Sequence, residues 1–257
     1  MALYSHSRLE AFKKCPRQYY YRYIEKTSTP YEGVEAYMGT QVHSVLEKVY
    51  EELGKGHLMS FSTASNYLDH YFDDKWHSDI YIVRKRDGLD RDYYKNLGQT
   101  CLKNYYNDYF PFDDGHTIGI EKYVEFEVNG GRDIMRGFVD RISISNGVLR
   151  IHDYKTGKKK LGKIAAGRDG QLASYEIAIR SDNPEIKEVE LVWHFLQHNE
   201  NVTSKRTPEQ LCQLKDSIED TIRVIDEHTE KMEFPTKPTK LCSWCSYKNL
   251  CPAAYIW

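Results

Sequence analysis

The sequence predicts an α/β chain, of the α+β kind with helices flanking a mixed sheet, on three observations. Apolar residues recur at helical spacing up to about residue 110, give way to the two-residue alternation of strands, and return to helical spacing near the end. Asn146-Gly147 joins two alternating runs, the strongest local signal for a two-residue hairpin. Beyond Phe234, prolines and closely spaced cysteines mark a tail of different character. A chain of 257 residues can bury a full core, and one domain spanning 1–257 is expected, with its core at about 34–231.

Taken in order, Ser7-Arg8-Leu9-Glu10 matches a capping box and opens an amphipathic helix to about Ile24, bent or restarted at Pro16. Val42, Val45, Leu46, Val49, Tyr50 and Leu53 define a second helix from Gly39 to a stop at Gly54–Gly56, with His43 beside its apolar stripe. The stretch at about 57–115 reads as a helical insertion with no recognisable chemistry. Strands are predicted at 117–128, 134–145, 148–156 and 188–197, and helices near 168–180 and from Pro208 to about Lys231. Glu121, Glu125 and Glu127 alternate along the first of these strands and read as an exposed charged face, the alternative being that one of them serves a second metal ion.

Composition excludes several classes. Hydrophobic content of 40% with 29% charged residues is ordinary for a soluble globular chain, and no apolar run reaches membrane-spanning length. The start lacks a basic region followed by an apolar one, so a reducing cytoplasm, or a host cytoplasm for a viral protein, is expected. A net charge of −2 does not announce a nucleic-acid binder, so such binding must come from a local patch. Most of the 21 tyrosines read as helix packing, and a minority as candidates for stacking on bases.

The chemistry gathers at the hairpin. Counting outward from Asn146-Gly147 pairs Ser145 with Val148 and Arg141 with His152, and so places Asp140 opposite Asp153. Two facing carboxylates destabilise a sheet unless a cation lies between them, which points to a divalent-metal site. Lys155 shares a face with Asp153, Leu149 and Ile151, while Asp140 shares one with Phe138 and Ile142; both acids therefore continue core-directed rows. Beyond Lys155, the basic residues Lys158, Lys159, Lys160, Lys163 and Arg168 lie where a phosphodiester would approach and are candidate DNA contacts. Gln171 and Tyr175 follow one helical turn apart on a shared face.

In the tail, Cys242, Cys245 and Cys251 lie within ten residues, and Cys15, before Pro16, is the best fourth ligand. Four thiolates suit either zinc or an iron–sulfur cluster.

Together these residues resemble the PD-(D/E)XK nuclease superfamily, in particular its RecB-like exonuclease branch, which includes CRISPR-associated iron–sulfur exonucleases and the AddB nuclease domain. Gly39-Thr40-Gln41-Val42-His43 is similar to its GTxxH motif, Gly137-Phe138-Val139-Asp140 to GxxD, and Asp153-Tyr154-Lys155-Thr156-Gly157 to (D/E)xKTG. Gln171 to Tyr175 is similar to QxxxY, and Cys15, Cys242, Cys245 and Cys251 to the four-cysteine set of the iron–sulfur members.

The resemblance implies a restriction-endonuclease-like core and a 4Fe-4S cluster, or alternatively Zn²⁺, stapling segments 5–26 and 234–257 together. It implies that His43, Asp140, Asp153 and the Tyr154 carbonyl bind Mg²⁺ or Mn²⁺, with Lys155 as the catalytic lysine and Gln171 and Tyr175 supporting the site. The implied activity is exonucleolytic, on single-stranded DNA ends, in recombination, repair or CRISPR-type processing. A helicase, recombinase or CRISPR integration partner and a homo-oligomer are compatible with it. The alternatives are a non-catalytic DNA-end-binding subunit and an endonuclease with structural zinc.

Overall fold

The computed structural model describes residues 1–29 and 31–253. In chain order the elements are β1 (Ala2–Tyr4), α1 (His6–Lys14), α2 (Pro16–Tyr19), β2 (Glu32–Gly33), α3 (Val34–Gly54), α4 (Phe61–Asp74), β3 (Ile80–Tyr81), α5 (Arg91–Tyr109) and β4 (His116–Val128). There follow β5 (Asp133–Ser145), β6 (Val148–Lys155), α6 (Lys163–Ala166), α7 (Gln171–Asp182), β7 (Val189–Phe195), β8 (Glu200–Ser204) and α8 (Pro208–Lys231).

Six strands form one mixed sheet in the order β1-β5-β6-β7-β8, with β4 also paired to β5. β5 is antiparallel to β4 and β6, β6 is parallel to β7, and β7 is antiparallel to β8. The parallel step follows from chemistry: α6 and α7 provide the crossover that two parallel strands require. One face of the sheet packs on α1, α7 and α8 through Leu9, Phe12, Leu172, Ala173, Ile218 and Ile222. The other carries α3, α4 and α5 through Val42, Leu46, Leu68, Leu102 and Tyr105, with Tyr154 beneath them.

Local signals explain the helix ends. Thr207 and Gln210 form a reciprocal capping box at α8, which starts at Pro208 as expected. The cap of α1 is Ser5, which accepts the Arg8 amide, rather than Ser7; its oxygen is two residues upstream of the expected start. That helix breaks at Cys15, whose extended backbone precedes the restart at Pro16.

Two strands escape a reading by alternation. β1 is three residues long and pairs in parallel with Asp133–Met135, more than a hundred residues away. β8 carries a single half-buried apolar residue, Val202. The 57–115 stretch contains α4 and α5 but also β3, which pairs with β2.

Candidate active site

Where β5 meets β6, the predicted register holds from Ser145–Val148 to Arg141–His152 and stops there. Asp140 and Asp153 do not form the next ladder pair. Instead, the Tyr154 amide donates to Asp140 Oδ2 at 2.7 Å. The cause is a change of face within β5: Val139 and Ile142, three residues apart, both enter the core beside α7. Phe138, expected on a core row with Ile142, is consequently 57% exposed. β4 changes face at the same level, since Ile120 packs beneath α3 and α5 while Val124 joins the opposite core. Glu121, between them, has a left-handed backbone with φ 44°.

This double kink gathers candidate metal ligands from three elements. The β4–β5 register places Glu121 across from Asp140, between the pairs Ile120–Arg141 and Lys122–Val139. Helix α3 delivers His43, and atoms of His43, Glu121 and Asp140 lie within 4.8 Å of one another. Glu121, read from the sequence as part of an exposed charged face, therefore belongs to the site. A signal for it existed. Counting outward from the Asn129-Gly130-Gly131 turn, as from Asn146-Gly147, brings Glu121 opposite Asp140.

His43 Nε2 lies 2.7 Å from the Tyr154 carbonyl oxygen and Nδ1 lies 3.5 Å from Asp140 Oδ1. Burial opposes a charged ring, but the hydrogen bond and charge of Asp140, the charge of Asp153 and the Tyr154 carbonyl outweigh it. The imidazole is pushed up to about 9, with Nδ1 facing Asp140 and Nε2 facing the Tyr154 carbonyl. Glu121 is also raised, by burial and then by Asp140.

Asp153 approaches from the α7 side. Its Oδ1 accepts from Lys155 Nζ at 3.1 Å and from Gln171 Nε2 at 3.0 Å, while Gln171 Oε1 accepts from Lys155 Nζ at 2.8 Å. The Gln171 amide thus holds the acid and the ammonium together. Asp153 Oδ2 sits 2.8 Å from Lys155 Nζ, yet it is buried without a hydrogen bond of good angle. Burial pushes Asp153 up to about 6, with Lys155 opposing and Asp140 adding to the rise. The Lys155 charge thus faces Asp153 Oδ2, and Asp153 stands outside the close group formed by His43, Glu121 and Asp140.

Two glycines make the approaches possible. A Cβ on Gly39 would lie 2.8 Å from Thr156 Oγ1, so glycine lets α3 pass the end of β6 without displacing that hydroxyl. A Cβ on Gly137 would meet the Tyr175 ring at 2.3 Å. Tyr175 is thereby seated against β5, its hydroxyl 3.4 Å from Gln171 Nε2.

Residues 4–252 match the PD-(D/E)XK nuclease superfamily. The chain belongs to that superfamily. Among its relatives, a subunit of the ATP-dependent helicase/deoxyribonuclease of Carboxydothermus hydrogenoformans is 26% identical over 250 residues. That match takes in 85% of this chain but 22% of the relative, so the chain spans about a fifth of that protein. The gene 69 protein of Mycobacterium phage D29 is 26% identical over 200 residues, 70% of this chain and 69% of the phage protein. A crystal structure of a predicted exonuclease from Eubacterium rectale superposes with a TM-score of 0.54 at 14% identity, covering 95% of this chain and 87% of that one. The PD-(D/E)XK fold here is therefore the restriction-endonuclease-like arrangement, a mixed sheet flanked by helices.

The remaining predicted residues of this PD-(D/E)XK chain fall in two places. Cys15, Cys242, Cys245 and Cys251 line one cavity between α2 and the tail, although among the described residues no three of the sulfurs lie within 4.8 Å of one another. Burial raises the Cys245 thiol, with Cys15 and Cys242 adding to the shift. Residues 254–257 of the predicted tail lie outside the described residues. In the basic segment, Lys158, Lys159, Lys163 and Arg168 are exposed, whereas Lys160 is paired with Glu200 at 2.6 Å.

Proposed function

We propose that the protein is a divalent-metal-dependent DNA exonuclease acting at single-stranded ends, its 257 residues forming one nuclease domain. The observation that carries this reading is the convergence of His43, Glu121, Asp140 and the Tyr154 carbonyl, with the Asp153–Lys155 pair alongside.

His43, Asp140, Asp153, the Tyr154 carbonyl and Glu121 would hold Mg²⁺ or Mn²⁺; oxygen-rich ligation with one imidazole suits these ions. When bound, the ion supplies Lewis-acid polarisation of the scissile phosphate and of a water. Lys155, oriented by Asp153 and Gln171, then holds the attacking water and stabilises the charge that develops on the phosphate. Gln171 and Tyr175 keep that ammonium in place, and Lys158, Lys159, Lys163 and Arg168, with Lys160 held by Glu200, bind flanking phosphates.

Cys15, Cys242, Cys245 and Cys251 form the seat of a 4Fe-4S cluster. These four thiolates would hold the cluster and through it tie the first helices to the tail, a reading supported by the single cavity that all four line. The name of the Carboxydothermus relative supports a helicase partner; a recombinase, a CRISPR integration protein or a second copy would serve the same site. The proposed setting is the cytoplasm; among the described residues no helix is long and apolar enough to cross a membrane.

The test is digestion of linear, end-blocked, circular and single-stranded DNA with Mg²⁺ or Mn²⁺. Cleavage is expected from free single-stranded ends and to fall at least ~10²- to 10³-fold in Asp153→Ala and Lys155→Ala. Undiminished cleavage in both variants would reject the assignment. Broad absorbance near ~400 nm in anaerobically prepared protein identifies the cluster, and a colourless zinc protein excludes it.

A further inference from the structure

Beyond the kink at Glu121 and Asp140, the β4–β5 ribbon runs on past α3 with one face bare. Val124, Phe126, Met135 and Val139 point into the core, and the residues between them point to solvent. On that outer face the pairs next to the acids are Tyr123–Phe138 and then Glu125–Arg136. Successive pairs on one face of a strand are spaced about 6.7 Å apart. Leading away from the ligands there is first a pair of aromatic rings and then a guanidinium.

The rings are not fold-building. Phe138 is 57% and Tyr123 41% exposed, and they touch edge to face with centroids 5.4 Å apart. Phe138 is the only large apolar side chain lining the cleft that also holds His43, Asp140 and Glu121, among the described residues. The α3 residues lining the same cleft are the small Ala36, Gly39, Thr40 and Ser44, with His43 and, toward the two ends of this stretch, the acids Glu35 and Glu47. The Tyr123 hydroxyl donates to Glu125, so the tyrosine edge is fixed.

We propose that this face is a track for single-stranded nucleic acid. Phe138, braced by Tyr123, stacks the base next to the scissile phosphate, and Arg136 takes a phosphate farther along. The reading rests on the nuclease assignment for its direction, because the track is continuous with the cleft of the metal-binding acids. Sheet-borne aromatics that stack unpaired bases are a general solution for single strands, tolerant of sequence because every base has a π-face. A duplex would keep its bases stacked on one another and leave the Phe138 ring uncovered. The track therefore gives the protein its preference for unpaired ends.

The experiment uses the full chain and a 12-nucleotide DNA carrying 2-aminopurine at one position at a time, in Ca²⁺, with gels confirming that the strand stays intact. Position-specific quenching is expected for the single strand and not for the duplex. It should be lost in Phe138→Ala and kept in Phe138→Trp. Phe138→Ala should weaken binding about 5- to 150-fold, the equivalent of the ~1–3 kcal/mol of one base–aromatic stack, and raise KM while leaving kcat within about twofold. Equal quenching and affinity in wild type and Phe138→Ala would overturn the track while leaving the nuclease reading intact. Quenching lost in Phe138→Ala, in a protein that cleaves no DNA with Mn²⁺, would uphold the track and reject the nuclease. Concentration-dependent self-association abolished by Phe138→Ala, with DNA binding unchanged, would reassign the face to a second copy and overturn the proposal.

Discussion

Glu121 adopts a backbone that side chains other than glycine seldom take, with φ 44°, and such strain costs about 1–3 kcal/mol. The strain aims its carboxylate at His43 and Asp140. Stability and ligation therefore oppose one another at this residue. Glu121→Gly is expected to raise the unfolding free energy by about 1 kcal/mol in denaturant titrations, while calorimetry shows Mn²⁺ bound about tenfold or more weakly. Glu127→Gln, farther along the strand, should change neither. His43 sharpens the metal reading further. Its folded-state pKa of about 9 lies above the usual 6.5, so at pH 7 the ring is protonated and an ion must displace that proton. Titration heats in buffers of different ionisation enthalpy should show about one proton released per ion at pH 7–8, falling to about half a proton near pH 9. Lys155, both aspartates and His43 were legible as residue types at fixed spacings. The spatial relation of the two acids was not, because the face change at Asp140 comes from packing that no alternation pattern records.

At the scale of strands, β5, β6 and β7 carry a polar network on the face beneath α5. Arg141 pairs with Asp114 at 2.9 Å and lies over the Tyr50 ring; His152 contacts Ser143 at 2.8 Å and His194 at 2.9 Å; His194 reaches Asn201 at 2.9 Å. Alternation assigns Arg141, Ser143 and His152 to solvent, yet all are buried, because α5 covers this face too. Polar residues on a strand reveal a side but not what covers it. Both histidines are held neutral. Burial, then the Arg141 charge, lowers His152 and pushes His194 down to about 3. A group with a depressed folded pKa favours the native state fully above its unfolded value, near 6.5, and loses that stability as pH falls toward 3. Unfolding free energy measured between pH 7 and 4 should therefore drop by about 3 kcal/mol from His194 alone, at ~1.4 kcal/mol per pH unit. His194→Gln should flatten that slope. Asp114→Ala leaves the Arg141 charge buried without its partner and should cost about 3 kcal/mol at pH 7, read from the same curves.

Across the whole molecule, the first helices and the last segment are one structural unit. Besides the shared cysteine cavity, the Arg17 amide donates to the Pro235 carbonyl at 3.1 Å, and Tyr19 stacks on Phe234. The cysteine spacing suggested joining these segments through a metal centre; the contacts seen include those of Arg17 with Pro235 and Tyr19 with Phe234. The short β1 was not legible, since its partner lies far along the chain. On the cluster reading, Cys245→Ser should lower the thermal midpoint by about 5–10 °C, the equivalent of ~2–3 kcal/mol in a chain of this size. Limited proteolysis of that variant should cut first between residues 14 and 29. The same closure sets a timetable for synthesis. Residues 6–24 are made well before Pro235, yet the surface that receives them is complete only when Pro235 has been made. At ~5–20 residues per second, that leaves their aromatic side chains uncovered for about 10–40 s, an interval in which a nascent-chain chaperone would find them.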